Sequence, residues 1–128
     1  MQRVLLAGRG ELTMRLIRAL KERGIESVSV FSEPEMEQIW VEESDYAVYL
    51  NGATVDETYL NAERIVSAAH DAGATAIHAG YCFLAERADF VATANNANLG
   101  VIGLQREALE RVADRFAVRD VAARMGIP

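Results

Sequence analysis

Residues 77–87 read IHAGYCFLAER and bring a histidine, a tyrosine, a cysteine and a glutamate close together in the chain. Such side chains can transfer protons, act as nucleophiles or stack on a flat ligand. A Cys82–His78 nucleophilic dyad is one hypothesis, but the sequence suggests no third group to orient the histidine. A metal site has little support, because these two residues lack partners at ligand spacing. The structural alternative makes His78 a hydrogen-bonded strand-end residue and Cys82 a small hydrophobe.

A second candidate stretch is GRGE, at residues 8–11. Its two glycines fit the start of a dinucleotide-binding fingerprint, but Thr13 stands where the third glycine belongs. Glu33 occupies the place expected of a ribose-binding acid after the next strand. This is weak support for a nicotinamide-dependent oxidoreductase, since a glycine-rich turn after a strand is common in α/β folds. Nothing about a turn requires Arg9 or Glu11, so these charges need another explanation.

Both stretches must be positioned by a sheet, because apolar runs alternate with helical patterns along the whole chain. The alternation predicts an α/β domain with a mostly parallel five-stranded sheet and helices on both faces. The predicted strands are 3–7, 27–31, 46–50, 75–78 and 101–102. The predicted helices run from 11 to a stop at Gly24, and over 34–43, 61–72, 85–97, 106–112 and 115–125. Ligands of such sheets bind beyond the carboxyl ends of the strands, where both candidate stretches lie.

Composition narrows the class of protein further. The chain has 128 residues, suiting one domain, and 51% of them are hydrophobic, enough for a core without disulfides. The single cysteine excludes an internal disulfide and fits a reducing compartment, so we expect a cytoplasmic location. A net charge of −6 argues against nucleic-acid or anionic-membrane partners. No apolar stretch is long enough to span a bilayer, and the N-terminus is not typical of a signal peptide.

Three stretches, taken together, resemble the biotin carboxylase family. VLLAGRGELTMRLIRALKERGIESVSVFS resembles its opening, which has an Asn-Arg-Gly-Glu-Ile turn followed by a helix. TYLNAERIVSAAHDAGATAIHAGYCFLAER is similar to its Ser-Tyr-Leu-Asn helix start and its His-Pro-Gly-Tyr-Gly-Phe-Leu-Ser-Glu-Asn loop. GVIGLQREALERVADRFAVRDVAARMGIP is similar to the stretch that leads into its ATP-grasp domain. The likeness covers the chain in order, which is more specific than any single motif.

The resemblance implies a three-layer Rossmann-like (pre-ATP-grasp) domain over residues 1–128, with the ATP-grasp and C-terminal domains absent from this chain. Members of the family carboxylate the ureido nitrogen of biotin through carboxyphosphate. ATP, biotin and Mg would therefore act in the complete enzyme, and we assign none of them to this domain alone. The implied partners are the ATP-grasp domain, biotin carboxyl carrier and carboxyltransferase components, and a second copy in a homodimer. We expect the isolated domain to be inactive.

Individual residues carry over from the family by their place in its motifs. Tyr81 matches a loop tyrosine near biotin. The rest of the substrate-lining loop is matched by His78, Gly80, Phe83 and Glu86. The turn after the first strand is matched by Arg9, Gly10 and Glu11, and the dimer interface by Arg18 and Glu22. Arg115 stands where the family has a lysine that contacts ATP phosphates. The resemblance assigns no catalytic and no metal-binding residue to this chain.

Several residues depart from the family pattern at the same edge. The departures are Gly8 for asparagine, Ala79 and Leu104 for proline, Cys82 for glycine, Ala85 for serine, Arg87 for asparagine, and Arg115 for lysine. If the replaced glycine has a positive φ, a cysteine there carries strain. These changes leave an alternative open, namely a stand-alone binding or scaffolding module that has kept the fold and lost the chemistry.

Overall fold

A single five-stranded sheet forms the centre of the computed structural model, which describes residues 2–81 and 83–127. The strands lie in the order β3-β2-β1-β4-β5. Their bounds are Arg3–Leu6 (β1), Glu26–Phe31 (β2), Tyr46–Tyr49 (β3), Ala76–His78 (β4) and Gly100–Ile102 (β5). All the pairings between these strands are parallel. The predicted α/β class with a parallel five-stranded sheet is therefore confirmed.

Helices cover both faces of the sheet and give three layers. Their bounds are Gly10–Lys21 (α1), Ile39–Glu43 (α2), Ala62–Asp71 (α3), Ala88–Asn96 (α4), Arg106–Val112 (α5) and Arg115–Arg124 (α6). On one face, Ile17 of α1 and Trp40 of α2 pack with Leu6 of β1. On the other, Ile65 of α3 and Phe90 of α4 belong to the larger apolar cluster. The two clusters follow from the alternation of side chains along each strand.

Two predicted helices differ from the structure in their extent. In place of the single helix predicted over 34–43, the structure has a turn of 3-10 helix at Glu33–Glu35 followed by α2. The extended backbone of Gln38 separates the two. The helix expected from about residue 85 begins only at Ala88. Arg87, the N-cap, has an extended backbone with φ −101° and ψ 106°, so the helix cannot start before Ala88. Asn61 caps α3, since its side chain accepts a hydrogen bond from the Arg64 N–H.

The end of the described chain is the least buried part of the fold. Helix α6 contains no buried residue among those described. Its Phe116 is 77% exposed, and Met125, the C-cap that follows it, is 69% exposed. Helix α5 buries only Leu109, against the larger cluster. In the part of the chain that the structure describes, no helix is both long enough and apolar enough to cross a membrane.

Candidate functional site

The carboxyl edge of the sheet holds both candidate stretches, as predicted. The strand order reverses between β1 and β4, and ligands of open parallel sheets bind at such a reversal. Residues 8–11 follow β1, and residues 79–81 and 83–87 lie after β4. The Ala7 N–H donates to the His78 carbonyl at 2.9 Å, so the two segments leave the sheet side by side.

A cleft of about 260 Å³ opens beside the loop after β4. Three of the expected lining residues border it: Gly80, Tyr81 and Glu86. The other lining residues are Ala79, Ala85, Val101, Ile102, Gly103 and Leu104. Small-molecule sites typically enclose about 300–1,000 Å³, so this cleft is slightly smaller than a typical ligand site. The Tyr81 side chain stands at its rim and is 75% exposed.

His78 stabilises this loop without lining the cleft. Its Nδ1 accepts a hydrogen bond from the Gly80 N–H at 3.0 Å, which requires that nitrogen to be unprotonated. Gly80 has a φ of 75°, a backbone conformation that favours glycine. The ring is half-buried, and burial lowers the pKa of His78. The structural interpretation of His78 therefore fits its contacts, whereas Cys82 of the proposed dyad lies outside the described residues.

The lowered pKa of His78 predicts a pH-dependent stability. The unfolded histidine takes up a proton near pH 6.5, before the folded one does, so the unfolding free energy should decrease as pH falls below about 6.5. Urea denaturation at a series of pH values should show a weaker decrease for His78→Gln than for the natural sequence. His70→Gln, on the exposed side of α3, is the matched control. An equal dependence of the unfolding free energy on pH for the His78 variant and the natural sequence would contradict a lowered pKa of His78.

A buried carboxylate, Glu35, lies beside the β1 turn and was not predicted from the sequence. Its Oε2 accepts hydrogen bonds from the Ser32 N–H at 3.0 Å and the Tyr59 hydroxyl at 2.7 Å, and also from the Ser32 hydroxyl. Its Oε1 accepts from Arg9 Nη1 at 3.1 Å. Burial is the largest single influence and opposes ionisation, but these hydrogen bonds together outweigh it and hold the pKa of Glu35 below its usual range. Glu35 is therefore an ionised, fully bonded acceptor.

Two aromatic rings connect this carboxylate to the loop after β4. Phe83 stacks on Tyr59 with ring centroids 5.0 Å apart and planes at 20°. The Arg9 guanidinium carbon lies 5.4 Å from the Phe83 centroid and 5.6 Å from that of Tyr59, within cation–π range. Arg9 thus ties the first turn to neighbouring structure. The Ser-x-x-Glu pattern at 32–35 is a capping-box signature, the sequence signal by which Glu35 could have been found.

The remaining candidate residues do not join this cluster. Glu11, Arg18 and Glu22 are exposed on or next to α1, and none of them forms an ion pair with another described residue. Arg18 and Glu22 therefore form no salt bridge with each other, although their i, i+4 spacing allows one. Arg115 begins α6 and is exposed. Gly10 has a φ of 71°, which explains a glycine in the first turn.

Magnesium has no matching ligand set in this part of the protein. Within residues 2–81 and 83–127, no three histidine, cysteine, aspartate or glutamate side chains lie close enough together to hold a metal ion.

The sheet order and the position of the cleft define an open α/β domain of the Rossmann-like class, with its candidate site at the carboxyl edge. A family model described as "Biotin carboxylase, N-terminal domain" matches residues 1–109. The chain belongs to this family.

Known proteins similar to the chain include a biotin carboxylase from Pseudomonas aeruginosa, which is 37% identical over 100% of this chain and 28% of its own length. The solved biotin carboxylase domain of a single-chain bacterial carboxylase is 34% identical with a TM-score of 0.95, over 100% of this chain and 30% of that one. The solved biotin carboxylase domain of a thermophilic 2-oxoglutarate carboxylase, bound to ADP, is 41% identical with a TM-score of 0.92. The match covers 99% of this chain and 28% of that one. The chain thus spans less than a third of the relatives it matches.

Proposed function

We propose that this chain forms the biotin-facing wall of a larger ATP- and bicarbonate-dependent enzyme that carboxylates biotin. The observation that carries the proposal is the cleft at the carboxyl edge, where Gly80, Tyr81 and Glu86 lie together. Membership of the family and the named relatives support the same activity. The domain would bind and orient the acceptor, and the catalytic groups would be supplied by another domain.

The side chains of the cleft suit a flat, partly polar ligand. The exposed ring of Tyr81 offers an apolar surface on which a bicyclic ligand can stack. Val101 and Leu104 add apolar contacts on the β5 side. The Glu86 carboxylate is exposed at the same cleft and can accept hydrogen bonds from ligand N–H groups. Ala79 and Leu104, which stand where the family pattern has proline, both line the cleft.

Partners in the complete enzyme are proposed from the surface of the last helix. Phe116 and Val121 of α6 and its C-cap Met125 are exposed, and an ATP-grasp domain packed there would remove their apolar surface from water. Arg115, at the start of the same helix, would then contact nucleotide phosphates through its guanidinium. Arg18 and Glu22 are proposed for a homodimer contact. Biotin carboxyl carrier and carboxyltransferase components would complete the assembly.

The test of this function is biotin- and bicarbonate-dependent ATP hydrolysis. We would assay the chain alone, mixed with an ATP-grasp fragment from the same source, and covalently joined to it. Activity only on mixing or joining is the expected result. No activity in any format, with all components folded, would overturn the proposal in favour of a non-catalytic binding or scaffolding module.

Replacing Tyr81 by alanine should weaken biotin recognition in the joined enzyme. Loss of the ring contact is expected to raise the KM for biotin about tenfold, equivalent to about 1.4 kcal/mol, and to change kcat much less. Steady-state kinetics with free biotin measures both constants. Tyr49→Ala, at the exposed far edge of the sheet, is the control and should change neither. An unchanged KM in Tyr81→Ala would exclude Tyr81 from the biotin site.

A further inference from the structure

We propose that Glu35 is a positioning residue for the loop that carries Tyr81. Glu35 does not border the cleft, and it acts through Arg9 and Tyr59 on the ring of Phe83. The ligand-related part of the proposal depends on the proposed biotin site. The structural part does not depend on any ligand. It states that the Glu35 carboxylate, after β2, sets the conformation of the loop after β4.

The contacts form a short chain from the carboxylate to the loop. Phe83 touches two groups from outside its own loop, the Tyr59 ring and the Arg9 guanidinium. Glu35 binds both of these groups, through the Tyr59 hydroxyl at 2.7 Å and Arg9 Nη1 at 3.1 Å. Phe83 also packs against the larger apolar cluster, but the two contacts that can be changed at a single site both depend on the Glu35 carboxylate.

Phe83 needs such fixing because its backbone is in an unfavourable conformation. Its φ of 53° lies in the left-handed region, which costs a residue with a side chain about 1–2 kcal/mol. A large side chain remains in this region only when surrounding contacts hold it there. The Tyr59 ring and the Arg9 guanidinium supply those contacts, and Leu84, the next residue, is fully buried.

Tyr81 is placed by the residues on either side of it. On one side, the Gly80 N–H is bonded to His78. On the other, Phe83 is held by the stack and Leu84 by the core. The Tyr81 side chain itself is 75% exposed and makes no hydrogen bond with another described residue. A change in the backbone at Phe83 should therefore move Tyr81 relative to the cleft.

The decisive experiment is NMR on this 128-residue chain with Glu35→Gln, which keeps the shape and removes the charge. A strong intraresidue HN–Hα NOE marks the positive φ of Phe83 in the natural sequence. In the variant we expect this NOE to weaken and the amide shifts of Gly80 and Tyr81 to change. Glu33→Gln, on the exposed side of the same turn, is the control and should leave all three signals unchanged.

A second variant protects the test against loss of folding. Tyr59→Phe removes one hydroxyl and keeps the ring that stacks on Phe83, so a smaller change of the same kind is expected. If the Glu35 variant does not fold, the Tyr59 variant decides. A folded variant with unchanged Phe83, Gly80 and Tyr81 signals would overturn the proposal.

Kinetics of the joined enzyme distinguish a failure of the positioning role from a failure of the proposed function. In the joined enzyme, Glu35→Gln should raise the KM for biotin about fivefold with a smaller change in kcat, because Glu35 acts only through the loop. An enzyme with the natural sequence that lacks biotin-dependent activity would refute the proposed function and leave the NMR result to decide the coupling. An active enzyme whose biotin KM is insensitive to Glu35→Gln would refute the ligand-related part of the proposal, the positioning of Tyr81 for biotin.

Discussion

Replacing Glu35 by alanine is expected to lower the free energy of unfolding by about 3 kcal/mol, a large part of the stability of a domain this size. The substitution leaves the Ser32 N–H and hydroxyl and the Tyr59 hydroxyl buried without their acceptor. Each orphaned donor costs about 1–3 kcal/mol, and Tyr59 recovers part of this by donating to the Val30 carbonyl, 3.2 Å away. Urea denaturation at neutral pH measures the loss.

The control for this prediction is Glu33→Ala, two residues away and exposed, which should change stability by less than about 0.5 kcal/mol. The pH dependence provides a second check. Because the pKa of folded Glu35 is below its unfolded value of about 4.5, its stabilising contribution is present above that pH and is lost as pH falls through the lower folded value. Glu35→Ala should lack this part of the acid-induced loss. Equal stability of the variant and the natural sequence at pH 7 would contradict a stabilising role of the network.

Much of the fold could be predicted because its signals are local. Strands and helices alternate with short glycine-containing turns, and this order alone predicts parallel strands whose loops share an edge. Residues 8–11 and the loop after β4 were expected at that edge and lie there. The resemblance predicted five lining residues in the loop after β4. Gly80, Tyr81 and Glu86 border one cleft, whereas His78 and Phe83 do not, and binding of biotin there stays a prediction.

The polar cluster could not be predicted in the same way, because its contacts join residues far apart in the chain. Arg9 and Glu35 are 26 positions apart, and Glu35 and Tyr59 are 24 apart. From the sequence, Glu33 was the acid of interest, as a ribose-binding candidate. The 3-10 turn at Glu33–Glu35 leaves Glu33 exposed and turns Glu35 inward, where it reaches Ser32 and Tyr59. Which of the two nearby acids is buried depends on the geometry of the turn, and the hydrophobic periodicity of the sequence does not contain this information.

The burial of a phenylalanine in a helix is likewise hard to predict from the sequence. Phe90 and Phe116 were both placed in predicted helices, and the structure confirms both helices. Phe90 is completely buried, whereas Phe116 is 77% exposed. The difference in burial arises because α4 packs against the sheet, where Phe90 joins the larger apolar cluster. Helix α6 contributes no described residue to that cluster. Helical spacing alone does not contain this information.

Phe90→Ala is therefore expected to be the most destabilising of these substitutions, lowering the free energy of unfolding by about 4 kcal/mol. The ring lies within the larger apolar cluster, and its removal combines the lost burial of apolar surface with the cost of a cavity. A shift of the urea midpoint with an unchanged slope would report this loss as one of stability alone. Phe116→Ala removes the same ring from an exposed position and should change stability in this chain by less than about 0.5 kcal/mol. Equal losses for the two variants would mean that α6 packs on the domain in solution, contrary to the structure, and would remove the free apolar surface on which the proposed ATP-grasp contact depends.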